Sequence, residues 1–100
     1  MRKAGWVYII TNCYHTVLYV GVTSNLIARI QEHKCKRYPA SFTAIYNVNK
    51  LVYYHLFDSI KEAIIEEKRL KGGSKKLKVD LIIKLNPCWE DLWLKEVSKW

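Results

Sequence analysis

Arg29 and His33 stand four positions apart, so on a helix their side chains share one stripe. Arginine offers a planar fork that matches a phosphate. Histidine moves a proton near neutral pH. A plain solvated helix face accounts for the pair taken alone, but neither residue type is needed merely to cover a helix. Glu67 follows Ala63 by four residues and therefore borders the apolar side of its own segment. A carboxylate at the edge of a core suits a hard cation, because magnesium takes one or two carboxylates and fills its shell with substrate phosphate and water. Glu62 and Glu66 compete for that part from positions that read as more exposed. Tyr8 and Tyr19 read locally as half-buried strand aromatics whose hydroxyls reach solvent.

The charge balance says what such a set would meet. The chain of 100 residues carries 17 Lys+Arg against 9 Asp+Glu, a formal charge of +8. That excess opposes compaction and concentrates polyanions, nucleic acid first and an anionic membrane surface second. Basic residues gather after the first helical pattern (Lys34, Lys36, Arg37) and around the next two (Lys68, Arg69, Lys71, Lys75, Lys76, Lys78). Tyr38, Phe42 and Tyr46 lie between these groups, a mixture that suits phosphate contact with base stacking.

Other chemistries fit less well. Cys13, His15, His33 and Cys35 are zinc-ligand types, but they form C-x-H and H-x-C pairs, closer than the usual structural spacing. An odd cysteine count, with Cys88 alone beside Trp89, is no disulfide framework and fits a reducing compartment. His15 and His55 read as structural. No stretch approaches the ~20 apolar residues of a membrane span. The opening MRKAGWVYII has a signal-like charge but is broken by TNCYH, so a soluble, cytoplasmic protein is expected.

The elements that must position these residues follow from local pattern. WVYIIT, residues 6–11, predicts a strand, NCYH at 12–15 a turn, and TVLYV at 16–20 a second strand that Gly21 ends. Thr23 or Ser24 is expected to cap a helix with Leu26, Ile27 and Ile30 on one face, which closes near Pro39. A third strand covers 49–57, and Ser59 to Glu62 reads as a capping box for a second helix that runs to Lys71 and stops at Gly72-Gly73. A third helix starts at Ser74 with Leu77, Leu81 and Leu85 one turn apart, and Asn86-Pro87 ends it. The tail predicts a short helix that folds Trp89, Leu92 and Trp93 back onto the body. The order β-β-α-β-α-α gives an α/β sandwich with a three-stranded, mostly antiparallel sheet, in one domain.

These segments together resemble the GIY-YIG nuclease superfamily, in its small stand-alone group. Its first triad appears as Trp6-Val7-Tyr8 and its second as Tyr19-Val20-Gly21, ten residues further on. NLIARIQEH, KLVYY, EAIIEEKRLKG and LIIKLNPCWEDL follow in the same order, so the likeness covers nearly the whole chain. It implies a metal-dependent endonuclease that hydrolyses DNA, using one divalent cation, Mg²⁺ or Mn²⁺, on Glu67. By the same resemblance Tyr8 would be the general base and Tyr19 would position water or phosphate. Arg29 would stabilise the phosphate's charge, His33 would take the proton from Tyr8, and Gly21 would let backbone approach the site.

Three positions depart from the pattern: Trp6 in place of glycine, Val22 where the excision-repair incision subunit has lysine, and Glu66 where small relatives often have arginine. They bear on efficiency more than on fold. With the catalytic module filling the chain, specificity would be low or directed by DNA structure, branched or flapped forms included, unless a protein partner supplies it. Repair and recombination are the roles that fit. The competing readings are a non-catalytic nucleic-acid-binding module of the same fold, and a protein-interaction domain built on the tryptophan-rich tail.

Overall fold

The computed structural model describes residues 3–100. Strands β1 (Gly5–Thr11), β2 (Leu18–Thr23) and β3 (Lys50–Phe57) form one antiparallel sheet in the order β2-β1-β3. The central place of β1 follows from its sequence: its apolar and aromatic run has almost no polar position to give to water, so both faces must be covered.

The two faces bury different sets. Val7 and Ile9 pack with Val20, Val52, Ala63, Leu70 and Ile82, under helices α3 (Ile60–Gly72) and α4 (Lys75–Leu85). Tyr8 and Ile10 pack with Leu26, Ile30, Val48, Leu51 and Leu92, under α1 (Leu26–Lys34), a one-turn helix α2 (Phe42–Ile45) and α5 (Leu92–Lys95). A bulge between Ile9 and Ile10 leaves Val52 as the extra residue of β3, so Val52 and its neighbour Tyr53 both pack on the Val7 face while Leu51 and Tyr54 pack on the Tyr8 face. Gly5 is required where α3 crosses: a Cβ on it would lie 2.8 Å from that of Ala63.

Several boundaries move from the sequence expectation for local reasons. The first hairpin is wider than four residues. Asn12 Oδ1 accepts from the amides of Thr16 and Val17, which holds Thr16 in the turn and starts β2 at Leu18. Gly21 does not end that strand but sits inside it, opposite Tyr8. The cap of α1 is Asn25, whose side chain accepts from the Ala28 amide, while Thr23 instead accepts from the Asn25 amide in a small preceding turn. Ser59 and Ser74 do cap α3 and α4. On α4 the buried residue is Ile82, and Leu85 is exposed, so the Leu77–Leu81 row turns inward one residue later than the leucine spacing suggests. Helix α2 and the final 3₁₀ turn (Val97–Lys99) add to the expected order. Leu92 is buried in the core on the Tyr8 face, and Trp93 packs against the same cluster. Among the described residues no helix is long and apolar enough to cross a membrane.

Candidate active site

The site forms where α1 lies across the β1–β2 pair. Register places Tyr8 opposite Gly21 and Ile10 opposite Tyr19, so both tyrosines belong to the face that α1 covers. Ile30 and Leu26 fix the helix on that face, and this turns His33 inward until it is only 6% exposed. Tyr8 is buried outright, at 1% exposure, so its hydroxyl does not reach solvent as the strand pattern alone suggests.

A directed hydrogen-bond chain runs through the set. Arg29 Nε donates to the Tyr8 hydroxyl at 3.3 Å, and that hydroxyl lies 3.0 Å from His33 Nε2. His33 Nδ1 lies 3.2 Å from Thr43 Oγ1, which lies 3.4 Å from Ser41 Oγ. An arginine can only donate. The Tyr8 hydrogen then has its partner when it goes to His33, leaving Nδ1–H to donate to Thr43 and the Thr43 hydroxyl to donate to Ser41. Ser41 Oγ also accepts from the Ala44 amide at 3.3 Å.

Burial sets the titration of this chain. It pushes the Tyr8 phenol up to about 12, against the opposing effect of the Arg29 charge and hydrogen bond. Burial, reinforced by Arg29 and partly offset by Glu32, lowers His33 to about 4, so the imidazole is neutral at physiological pH. The resting site thus holds the proton on Tyr8 and an unprotonated acceptor beside it.

Tyr19 meets His33 edge-on, with centroids 6.0 Å apart, and on its other side the Lys71 ammonium stands 5.5 Å from its ring centre. Lys71 in turn pairs with Glu67 at 3.4 Å. Helix α3 covers the opposite face of the sheet, and β2 is an edge strand, so Lys71 reaches round that edge. Glu67 therefore joins the tyrosine–arginine–histidine group through Lys71 and the Tyr19 ring, with no direct bond to Tyr8, Arg29 or His33 among the described residues. Its side chain is 14% exposed. Among the described residues no three His, Cys, Asp or Glu side chains converge. A lone, mostly buried carboxylate fits an ion that takes one protein carboxylate and completes its shell with water and phosphate, and Lys71 is the cation such an ion would displace.

Glu66 points away from this group. Arg69 holds it with two hydrogen bonds, 2.5 and 2.9 Å, and lowers its pKa; the charges near it are those of Tyr53 and His55 on β3. Val22 packs on the α3 face with Val7. Neither departure from the family pattern thus adds a charge beside Tyr8. Asn86 is buried, and its amide bonds Val52 O and Glu90 O to tie α4 to β3.

The basic residues divide. Lys34 is bound to Asp91, which also accepts from the Leu51 and Trp93 amides, so it fastens α1 to the tail. Lys36 bonds Asn47 and Arg37 pairs with Glu32 at 3.7 Å. Lys76 pairs with Asp80, Lys68 is exposed, and Lys75 lines a shallow depression of about 200 Å³ with Lys78 and Thr16. Sequence reading did not single out Glu32, Ser41 or Thr43. Glu32 carries a weak signal three residues after Arg29, and its carboxylate gathers Arg29 at 3.3 Å and Tyr38 at 3.4 Å as well as Arg37. Thr43 carries none, since only the tertiary path of the loop brings it to His33.

Residues 4–80 match the family described as the GIY-YIG catalytic domain. The chain is 37% identical over 82 residues to a UPF0213 protein of Syntrophus aciditrophicus (strain SB), covering 92% of that protein and 82% of this one. A UPF0213 protein of Staphylococcus haemolyticus (strain JCSC1435) is 35% identical over 77 residues, 92% of its length and 77% of this chain. The solution NMR structure of a UPF0213 protein from Bacillus halodurans superposes with a TM-score of 0.56 at 26% identity, covering 88% of this chain and 92% of that one.

Proposed function

Because the chain belongs to the GIY-YIG catalytic-domain family, a nuclease family, we propose that it is a metal-dependent endonuclease that hydrolyses phosphodiester bonds of DNA. The observation that carries this reading is the Tyr8 hydroxyl held between Arg29 and His33, at 3.3 and 3.0 Å.

Each side chain then has a task. Arg29 binds a non-bridging oxygen of the phosphate and stabilises the charge that grows there during attack. Tyr8 passes its proton to His33 Nε2 and takes one from water, whose oxygen attacks phosphorus as the bond to the leaving strand breaks. Tyr19, beside His33 and Lys71, orients that water or the phosphate. Glu67 would hold the divalent ion, Mg²⁺ or Mn²⁺, which when bound supplies positive charge against the phosphate. Burial outweighs Arg29 at Tyr8, so the positive charge that such an ion would supply would also favour loss of the phenol's proton.

The DNA backbone lies along Lys36, Arg37, Lys68, Arg69, Lys71, Lys75 and Lys76. Lys34, Arg69 and Lys76 contribute less, since their charges are already met by Asp91, Glu66 and Asp80. Repair or recombination is the setting in which such a cutter acts, with branched or flapped DNA as substrate and a protein partner to direct it.

The test is cleavage of labelled single-stranded, duplex, flapped and branched DNA by the wild type and Glu67→Ala, with Mg²⁺, Mn²⁺ or EDTA. Cutting that requires the ion and is lost in the variant, with salt-sensitive binding kept, is the expected result. Equal binding by both proteins with no cutting would replace this reading with that of a nucleic-acid-binding module.

A further inference from the structure

A cavity of about 410 Å³ opens beside the hydrogen-bond chain, between the end of α1 and α2. Arg29 and His33 form its inner wall, so it begins at the two residues that touch the Tyr8 hydroxyl. Tyr38, 53% exposed, lines its mouth, with the Arg37 guanidinium 5.9 Å from its ring centre. Glu32 also lines it, an acid in the one place where a protein of charge +8 should avoid repelling phosphate. Its charge is met by Arg29 and Arg37, and Tyr38 donates to it. A carboxylate neutralised in this way keeps its acceptor capacity and loses most of its repulsion. It can therefore accept from the exocyclic amine of a nucleobase.

From this arrangement we infer that the cavity binds one unpaired nucleotide of the strand being cut, next to the scissile phosphate. The base stacks on Tyr38 and its amino group donates to Glu32, while Arg29 and Lys36 meet the flanking phosphates. A volume near 410 Å³ accommodates a single nucleotide. A base still stacked in a duplex cannot enter, because its faces and pairing edge are covered by its neighbours. The inference rests on the nuclease reading for the word scissile and deepens it: the substrate class becomes DNA with an unstacked nucleotide at the cut, as at a flap junction. It also gives a base preference, since thymine lacks the amine that Glu32 would accept.

The experiment is fluorescence titration, in EDTA, of flap DNA with 2-aminopurine at successive junction positions, and of the same base in duplex. At one junction position the wild type is expected to change 2-aminopurine emission strongly. Tyr38→Phe should keep that change, and Tyr38→Ala should lose it. In competition, cytosine at that position should bind about tenfold better than thymine, and Glu32→Leu, which removes the acceptor, should remove the difference. An unchanged signal in Tyr38→Ala, or equal affinity for duplex and flap, would overturn the inference. The same DNAs are then tested for cutting with Mg²⁺. Cutting without the Tyr38-dependent signal sinks the nucleotide pocket and leaves the nuclease; the signal without cutting does the reverse.

Discussion

Gly21 lies directly beneath the phenol of Tyr8: a Cβ built on it would stand 2.2 Å from Cζ and 2.3 Å from the hydroxyl oxygen. The close approach that the motif's glycine allows is thus made by the other strand's tyrosine. Gly21→Ala is expected to push that ring out of line with Arg29 and His33. Cutting should fall by about a hundredfold or more, as for a general base out of place. Stability should fall by about 1–3 kcal/mol, the usual cost of overpacking. Cleavage assays and urea denaturation of the same preparation check both parts.

Acid stability should report His33. Its pKa is lowered to about 4 by burial, so the unfolded chain, with the ordinary value of 6.5, takes up its proton first. Stability is then level above about pH 6.5, falls as the pH drops from there toward 4, and is level again below. The His33 share of the loss is on the order of 3 kcal/mol. His33→Gln should flatten that window, measured by denaturant midpoints at several pH values.

The rate of cutting should be level with pH from about 6 to 10. The relay needs a protonated Tyr8 and a neutral His33, and with Tyr8 raised to about 12 and His33 lowered to about 4 both forms prevail throughout that range. His33 is already neutral above about 4, so no inflection is expected near 6.5. Single-turnover rates from pH 6 to 10 at fixed ion concentration test this; a bell centred near 6.5 would give His33 a different role.

Lys71 is expected to compete with the divalent ion for Glu67, its partner at 3.4 Å. Lys71→Met keeps the aliphatic cover on Tyr19 and releases the carboxylate. Mn²⁺ binding, followed by electron paramagnetic resonance, should tighten by about two- to fivefold, the worth of such a pair. Glu67→Gln should abolish it. Unchanged Mn²⁺ affinity in both variants would remove Glu67 as the ligand.

The sequence shows the parts that obey local rules. Strands β1 and β3 announce themselves by aromatic and β-branched runs, and Ser59 and Ser74 by their caps. Tyr8, Tyr19, Arg29 and His33 were legible because motif spacing and the four-residue helix step bring them to one face. The rest depends on contacts distant in the chain. Thr43 reaches His33 only through the loop after α1, and Lys34 is taken up by Asp91 far along the chain. The depth of Tyr8 depends on α1 lying over it, and alternation along β1 cannot show that cover. Charge counting found the basic residues but not their pairing, which separates exposed Lys68 from anchored Lys34.

The most direct test of the account is the single-turnover rate of Tyr8→Phe against wild type on a substrate the wild type cuts, at saturating Mg²⁺. Phenylalanine keeps the buried ring and removes only the hydroxyl that Arg29 and His33 hold. The rate is expected to fall by about 10²–10⁴, the range of general-base catalysis, with DNA binding kept and the fold retained at a cost of about 1–3 kcal/mol for the buried His33 nitrogen left without its partner. A rate within a few-fold of wild type would contradict the assignment of that hydroxyl to the chemistry.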